Sequence, residues 1–483
     1  MRKKKIPFAR LAAFLVLFAV LLGYMTRVLE DKGGTINGLY DEPAASLDVL
    51  YLGGSHANAA FDPMSLYETY GYTGYVLYSW AQPMWTSYYY LEEALKTQNP
   101  KVVVLDAFGM AYGNTYLATS DYDSTSDQYS LLIRPGLTRV KLALAMSRCQ
   151  AEHKSITRYL PHVRYHNRWK SLTASDWLWP FVTEHSTNKG FGPLYLTESF
   201  DTPAVPESPA PATIYAPCQE YLDKIGALCA EKGIPLVVTV TPYILASDAE
   251  YDLYRQVGDW CAANGAAFLN YLEGEDAARL GFDYGTDLAD HGHVNWRGAA
   301  KITADLGAFL AEHYDLPDHR NDPAYRQWEA DLLVEKQDKQ NMDLKLQATL
   351  PDLLAKAADD SYVTVIAVRG DLTASDPAPV AGALASWGIP AELTGSTAAG
   401  ALYVYDGGTR IFASDTGETC TYSQGALTFT AVCTPDAAAV TLADQQICRD
   451  CPGVNVVVLD KTTGERVQSI AFLAAEGYAS YTG

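Results

Sequence analysis

The stretch Leu47-Asp-Val-Leu-Tyr-Leu-Gly-Gly-Ser-His56 decides the fold. An apolar run closed by two glycines reads as a buried strand followed by a tight turn. Ser55 then stands where a strand hands over to a helix, with its hydroxyl at the carboxyl edge of a sheet. Glycines at 53 and 54 let the backbone approach a ligand, and they leave N–H groups to bind an oxyanion. Most serines in such turns are only turn residues, so this stretch alone does not establish catalysis.

Working outward, residues 85–96 have helical spacing, and 101–105 form a second apolar run introduced by Pro100. A third strand is expected at 235–240, a helix at 248–263 ended by Asn264-Gly265, and a fourth strand at 267–271. Residues 296–313 form an amphipathic helix with Ile302, Leu306, Phe309 and Leu310 on one face. Strands alternating with helices predict an α/β fold, a parallel sheet flanked by helices. The interval 110–215 is less regular and ends in a proline-rich stretch. It reads as a partly helical insertion closed by a surface loop, placed to shape a substrate site. Within it, Tyr165-His166-Asn167-Arg168-Trp169 mixes donors with aromatics; a sugar or acidic polymer would suit it, and so would a solvated helix face.

A second chemical element precedes the 296–313 helix: Asp287-Leu-Ala-Asp290-His291-Gly-His293-Val-Asn295-Trp-Arg-Gly298. An Asp and a His three apart on a loop can face one site. The His then acts as general base toward a serine hydroxyl, and the Asp fixes its tautomer and stabilises the imidazolium. Asp290 with His293 is preferred to Asp287 with His291, whose gap is wider. A capping loop with an exposed His is the plainer reading.

Taken in chain order, Ser55 after the first strand and Asp290-x-x-His293 before the last helix resemble the first and last blocks of the SGNH (GDSL-like) hydrolase superfamily. Gly54 stands where Asp is common. The stretches AQPMWTSYYYLEEALKTQNPKVVVLD and DHGHVNWRGAAKITADLGAFL resemble membrane-anchored SGNH proteins related to alginate O-acetylation and D-alanyl-teichoic-acid proteins. The resemblance covers about 45–315. It implies a three-layer fold and a triad of Ser55, His293 and Asp290. It also implies acyl ester chemistry on a cell-envelope polysaccharide or a teichoic-acid-like polymer, acetyl being the expected acyl group. A membrane-bound O-acyltransferase is the implied partner, and no cofactor is implied. The family's two middle blocks are not visible. Gln82 is a candidate side-chain donor to the oxyanion beside the backbone N–H of Ser55, and Gly54, His56 and Asn295 are candidate site-lining residues. Either an esterase or O-acyltransferase, or an inactive glycan-binding scaffold for an acyltransferase, fits this pattern.

The remainder of the chain is organised around that domain. Of 483 residues, 48% are hydrophobic, enough for two or three cores. The net charge of −21 argues against nucleic acid as a partner. Residues 1–28 combine a basic flank, Arg2-Lys-Lys-Lys5, with an apolar run able to span a bilayer from 6 to 28, which places the bulk of the chain outside. No small-x-small site follows, so an uncleaved anchor is favoured over a signal peptide. Residues 317–358 read as a helical connector, and 360–483 as a β-rich domain. In the latter, 362–368, Trp387-Gly-Ile-Pro390 and 453–465 resemble the interleukin-like EMT-inducer (ILEI) domain, which implies carbohydrate or partner binding. Among eight cysteines, the lone Cys448-x-x-Cys451 pair has no second pair at zinc spacing, so no metal site is expected. Two disulfides are expected in the C-terminal region, and buried thiols at Cys149, Cys218, Cys229 and Cys261.

Overall fold

The computed structural model describes residues 8–30, 32, 35–112, 131–149, 156–182, 184–373, 378–476 and 481–482. The basic flank at 2–5 and the stretches 113–130 and 150–155 of the expected insertion lie outside the described residues. The chain divides into two compact units, Met1–Leu333 and Val334–Gly483.

The first unit is built on β1 (Val49–Gly53), β2 (Gly74–Tyr78), β3 (Val102–Asp106), β4 (Leu236–Val240) and β5 (Ala267–Asn270). They form one parallel sheet in the order β2-β1-β3-β4-β5. Val49 of β1 sits opposite Gly74 on one side and Val102 on the other. Every residue of β1 and β3 is buried, so both faces of the sheet need helical cover. Among its helices are α1 (Phe8–Leu29), α2 (Ser55–Ala60), α3 (Pro63–Tyr70), α4 (Met84–Ala94), α5 (Leu137–Cys149), α6 (Ala216–Lys232), α7 (Ala249–Asn264) and α8 (Trp296–His313). Alternation along each strand sends Leu50, Leu52, Val103 and Leu105 into a core with Trp85 of α4, Leu142 of α5, Leu222 of α6 and Tyr254 of α7. Val49, Tyr51, Val102 and Val104 point the other way, against Ala57 of α2, Leu66 of α3, and Ile302 and Leu306 of α8. Each such side chain contributes about 1.5–3 kcal/mol by leaving water. The α/β expectation for this unit therefore holds, with helices on both faces.

The chain moves from β1 to β2 on one side and returns to place β3 on the other. That reversal opens a crevice beyond the carboxyl ends of β1 and β3, where ligands of open α/β sheets bind. Gly53 makes the exit from β1 possible. A Cβ there would lie 2.7 Å from the Ala57 Cβ and 2.8 Å from the Asp106 Cβ, closer than atoms tolerate. Strand β2 and helix α6 were not anticipated from the residues.

The second unit is antiparallel and β-rich. A helix α9 (Arg326–Lys345) carries the chain across the boundary, and α10 (Leu350–Ala357) and α11 (Ala378–Ser386) follow. Strands β6 (Tyr362–Gly370), β7 (Ala399–Asp406), β8 (Thr409–Ser414), β13 (Gly453–Asp460), β14 (Arg466–Leu473) and β15 (Tyr481–Thr482) form a sheet ordered β15-β14-β13-β6-β7-β8. Strands β9 (Cys420–Gln424), β10 (Leu427–Cys433), β11 (Ala438–Leu442) and β12 (Gln445–Gln446) form a second sheet ordered β12-β11-β10-β9. Ile366 and Val456 pack on Leu353 and Leu384 from the helices, whereas Val365 and Val457 pack on Phe429 and Val440 of the smaller sheet.

All eight cysteines are free thiols, which corrects the expectation of C-terminal disulfides. Cys420, Cys433 and Cys448 are buried in the core between the two sheets and fill it as small apolar groups. Burial pushes the Cys433 thiol up to about 12, so it is not a thiolate at neutral pH. Helix α1 is long and apolar enough to cross a membrane, a test that a signal sequence also passes.

Candidate active site

Ser55 is the first residue of α2, directly beyond β1 and Gly54. Its N–H therefore has no carbonyl within the helix to pair with. The loop from Asp287 to Asn295 is a tight hairpin before α8. Leu288 bridges Val294, Ala289 N–H donates to the His293 carbonyl at 2.8 Å, and Asn295 N–H donates to the Asp287 carbonyl at 2.9 Å. Asp290 stands at its tip, where its Oδ1 accepts the N–H groups of Gly292 (2.7 Å) and His293 (2.8 Å). That Asx turn folds the His293 ring back over the carboxylate that precedes it.

The result is a continuous chain of contacts. His293 Nδ1 lies 3.0 Å from both Asp290 oxygens, and His293 Nε2 lies 2.7 Å from Ser55 Oγ. The two elements are 238 residues apart in sequence and meet at the crevice of the sheet. Burial would raise the Asp290 pKa, but the Gly292 N–H and the charge and hydrogen bonds of His293 outweigh it and hold the carboxyl below its ordinary value. Asp290 is thus a carboxylate that accepts from Nδ1, leaving Nε2 to face the serine hydroxyl.

The other expected site residues take different places. His291 is exposed, and its carbonyl accepts the Ile244 N–H at 2.8 Å. Asp287 is buried and held by Lys301 Nζ at 2.6 Å. Asn295 corrects the site-lining expectation. It is fully buried, accepts from the Arg297 and Gly298 N–H groups as the N-cap of α8, and donates to the Thr286 carbonyl at 2.8 Å. It fixes the hairpin rather than meeting a ligand. Gln82 is a second correction. Its side-chain oxygen accepts from Ser79 Oγ and its Nε2 donates to Ser87 Oγ, both at 3.0 Å, and the residue is buried. Its backbone is what approaches the site: a Cβ added at Gly54 would lie 3.4 Å from the Gln82 nitrogen. Ala81 delivers that amide from a left-handed conformation, φ 50°, which a non-glycine residue adopts at a cost.

His56 is buried beside the triad. Its ring stacks on Phe108 at 3.5 Å, meets the edge of Tyr243 at 5.3 Å, and lies 5.0 Å from the His293 ring. Burial first, then the neighbouring His293 and His291, hold its pKa well below the ordinary value, so it is neutral across physiological pH. Phe108, Tyr112 and Tyr243 complete this aromatic wall and were missed in the sequence. Phe108 follows β3 and Tyr243 follows β4 by two or three residues. That position past a strand end was the available signal.

Two further features were not legible. Asp106 ends β3 underneath the Gly53 turn, is buried, and makes no hydrogen bond of normal geometry from either oxygen. Burial pushes its pKa up to about 7, against a smaller pull from the Phe108 backbone N–H. The end of the expected insertion is a strap that ties the two halves of the site. Asn58 of α2 bonds Gly190 and Gly192, while Glu198 bonds Leu288 of the histidine loop and Leu194 bonds Trp296 at the start of α8.

No family model and no curated protein matches the chain. Among solved structures, it pairs with a protein named as an acylhydrolase from Bacteroides fragilis NCTC 9343 at 10% identity, over 57% of this chain and 92% of that one, with a TM-score of 0.27. It also pairs with a GDSL-like lipase from Bacteroides thetaiotaomicron VPI-5482 at 11% identity, over 55% and 88%, with a TM-score of 0.26. Superpositions this loose carry no weight, and the functional reading stands on the site's own geometry.

Proposed function

We propose that the protein is a membrane-anchored, extracytoplasmic esterase or O-acyltransferase of SGNH type, acting on acyl esters of cell-envelope glycans. The single observation that carries this reading is the 2.7 Å contact between Ser55 Oγ and His293 Nε2, with Asp290 behind the ring. Ser55 Oγ attacks the acyl carbonyl while its proton passes to His293 Nε2. The Ser55 N–H receives the oxyanion, and the Gln82 backbone N–H is the second donor close to Gly54. Collapse expels the alcohol, which takes the proton from His293 and leaves an acyl group on Ser55. Water then completes hydrolysis, or a sugar hydroxyl completes transfer. The acetyl group and a teichoic-acid-like or polysaccharide acceptor remain part of the proposal through the sequence resemblance.

Helix α1 supports the anchor because its end is built into the fold. Glu30 is fully buried and pairs with Arg27 and Arg139, and Arg168 bonds the carbonyls of Leu29 and Glu30. Cleavage near residue 25 would sever that end from the apolar span and remove Tyr24, whose ring meets Trp177 and Phe181. The C-terminal unit, read as ILEI-like, would serve glycan or partner binding. The test is labelling of the full chain in detergent with a fluorophosphonate probe. One adduct, at Ser55, that disappears in Ser55→Ala is expected. A folded chain that never reacts would sink the enzyme reading in favour of a scaffold.

A further inference from the structure

The chain carries −21 charges overall, yet residues 131–182 hold nine Lys and Arg against two Asp and Glu. The same segment exposes apolar side chains to an unusual degree. On α5, Leu137, Val140 and Leu144 recur at helical spacing and are 54–69% exposed, while the opposite side of that helix is buried. Beyond it, Trp177, Leu178 and Phe181 are 44%, 62% and 79% exposed. Monomeric proteins rarely leave such a patch to water.

This patch is continuous with α1. The Tyr24 ring meets Trp177 at 6.4 Å and Phe181 at 5.9 Å, and Tyr24 Oη donates to the Trp177 carbonyl. Pro135 and Phe181 line one open apolar groove together with Leu17, Val20 and Leu21 of α1. Length then decides where the groove sits. The 22 residues of α1 span about 33 Å at 1.5 Å each, barely more than the roughly 30 Å hydrocarbon core. If α1 crosses a bilayer, nearly all of it is used. Whatever packs alongside Leu17 to Tyr24 must share that slab. The polar border falls about two turns later, where Lys32 and Arg168 both pair with Asp176.

We propose that residues 131–149 and 156–182 form a platform that seats in the outer face of the membrane. Leu178 and Phe181 enter the acyl region, tryptophans lie at the headgroup level, and the exposed Lys170 beside Trp169 faces anionic phospholipid headgroups. The proposal rests on the anchor reading above but goes beyond it: it fixes the catalytic unit on the bilayer surface at a second point instead of leaving it on a tether.

The experiment uses the full chain in nanodiscs of phosphatidylcholine with or without phosphatidylglycerol. The photo-reactive residue p-benzoylphenylalanine replaces Leu178 or Phe181, and replaces Glu231, an exposed residue at the end of α6, as a control. Lipid adducts at 178 and 181 about tenfold above those at 231, rising with phosphatidylglycerol, are expected. A chain that enters the disc but gives no adduct at 178 and 181, or gives cross-links to protein there, overturns the platform and leaves the anchor standing. A chain that never enters the disc overturns both. Soluble polyglycerol phosphate that abolishes the lipid adducts assigns the basic face to an anionic polymer and overturns the platform.

Discussion

Of the imidazoles that carboxylates hold in the first unit, two sit in opposite surroundings. His293 has Asp290 on Nδ1 and the Ser55 hydroxyl on Nε2. His185 has Asp41 on Nδ1 at 2.7 Å and Asp331 on Nε2 at 2.8 Å. Around His185, Lys189 is buried between Glu42 and Asp331 and lies 4.7 Å over the Trp328 ring. The hydrogen bond to Asp331 raises the His185 pKa, with Asp41 adding to it and burial opposing. A ring with a carboxylate on both nitrogens is a cation that staples segments together. A ring with a carboxylate on one side and a hydroxyl on the other can move a proton. The difference lies in what the second nitrogen meets.

The comparison breaks most decisively at Ser55. Ser55→Ala removes the proton donor from His293 and the nucleophile itself. Turnover of p-nitrophenyl acetate is expected to fall by about 10^4-fold or more. A variant with wild-type rate would make His293 another structural histidine. Next comes Asp290→Asn, which leaves shape but removes the charge that orients Nδ1–H. A fall in kcat of about 10^2–10^4-fold is expected, with KM little changed. Equal kcat for the variant and the parent would show that the carboxylate only shapes the loop.

Ser55, Asp290 and His293 were legible because their signals are local. Gly-Gly-Ser follows an apolar run, and Asp290 reaches His293 through a turn three residues long. His185 was not legible, since its carboxylates lie 144 and 146 residues away. Strand β2 was not legible because no proline introduces Gly74–Tyr78 and no glycine pair ends it, the marks that set off 101–105 and β1. Gln82 was misjudged for a related reason. A buried amide bonds whatever hydroxyls the fold supplies, and here Ser79 and Ser87 reach it first. Asp106 is legible only as an apolar strand ending in an acid; its lack of a cationic partner is a tertiary property.

Asp106 sharpens the comparison as a carboxyl with no imidazole at all. Its folded pKa, about 7, lies above the ordinary carboxyl value, so the folded state prefers it protonated. Stability from that preference is full below about pH 4 and is lost as pH rises toward and through 7. Asp106→Asn keeps the shape without the charge. Near pH 4 the two proteins should melt together. At pH 8 the variant should be more stable, by on the order of 2–4 kcal/mol. A variant that melts lower at pH 8 would mean that the fold uses the ionised form.

The smallest effect is expected at His185, and its sign is the opposite of a catalytic one. Its folded pKa is raised, so its contribution is fully present below about pH 6.5 and lost as pH climbs through the folded value. His185→Gln retains a hydrogen-bonding group but not the charge. It should cost about 1 kcal/mol at pH 6, since the ring is partly exposed and solvent screens the pair, and nearly nothing at pH 9. Esterase activity should be unaffected at any pH where the variant is folded. Melting curves and p-nitrophenyl acetate rates on the same samples separate the two histidines. If His185→Gln lowered activity while leaving the melting temperature alone, the ring between Asp41 and Asp331 would belong to the chemistry and not to the scaffold. The distinction drawn from the second nitrogen would then fail.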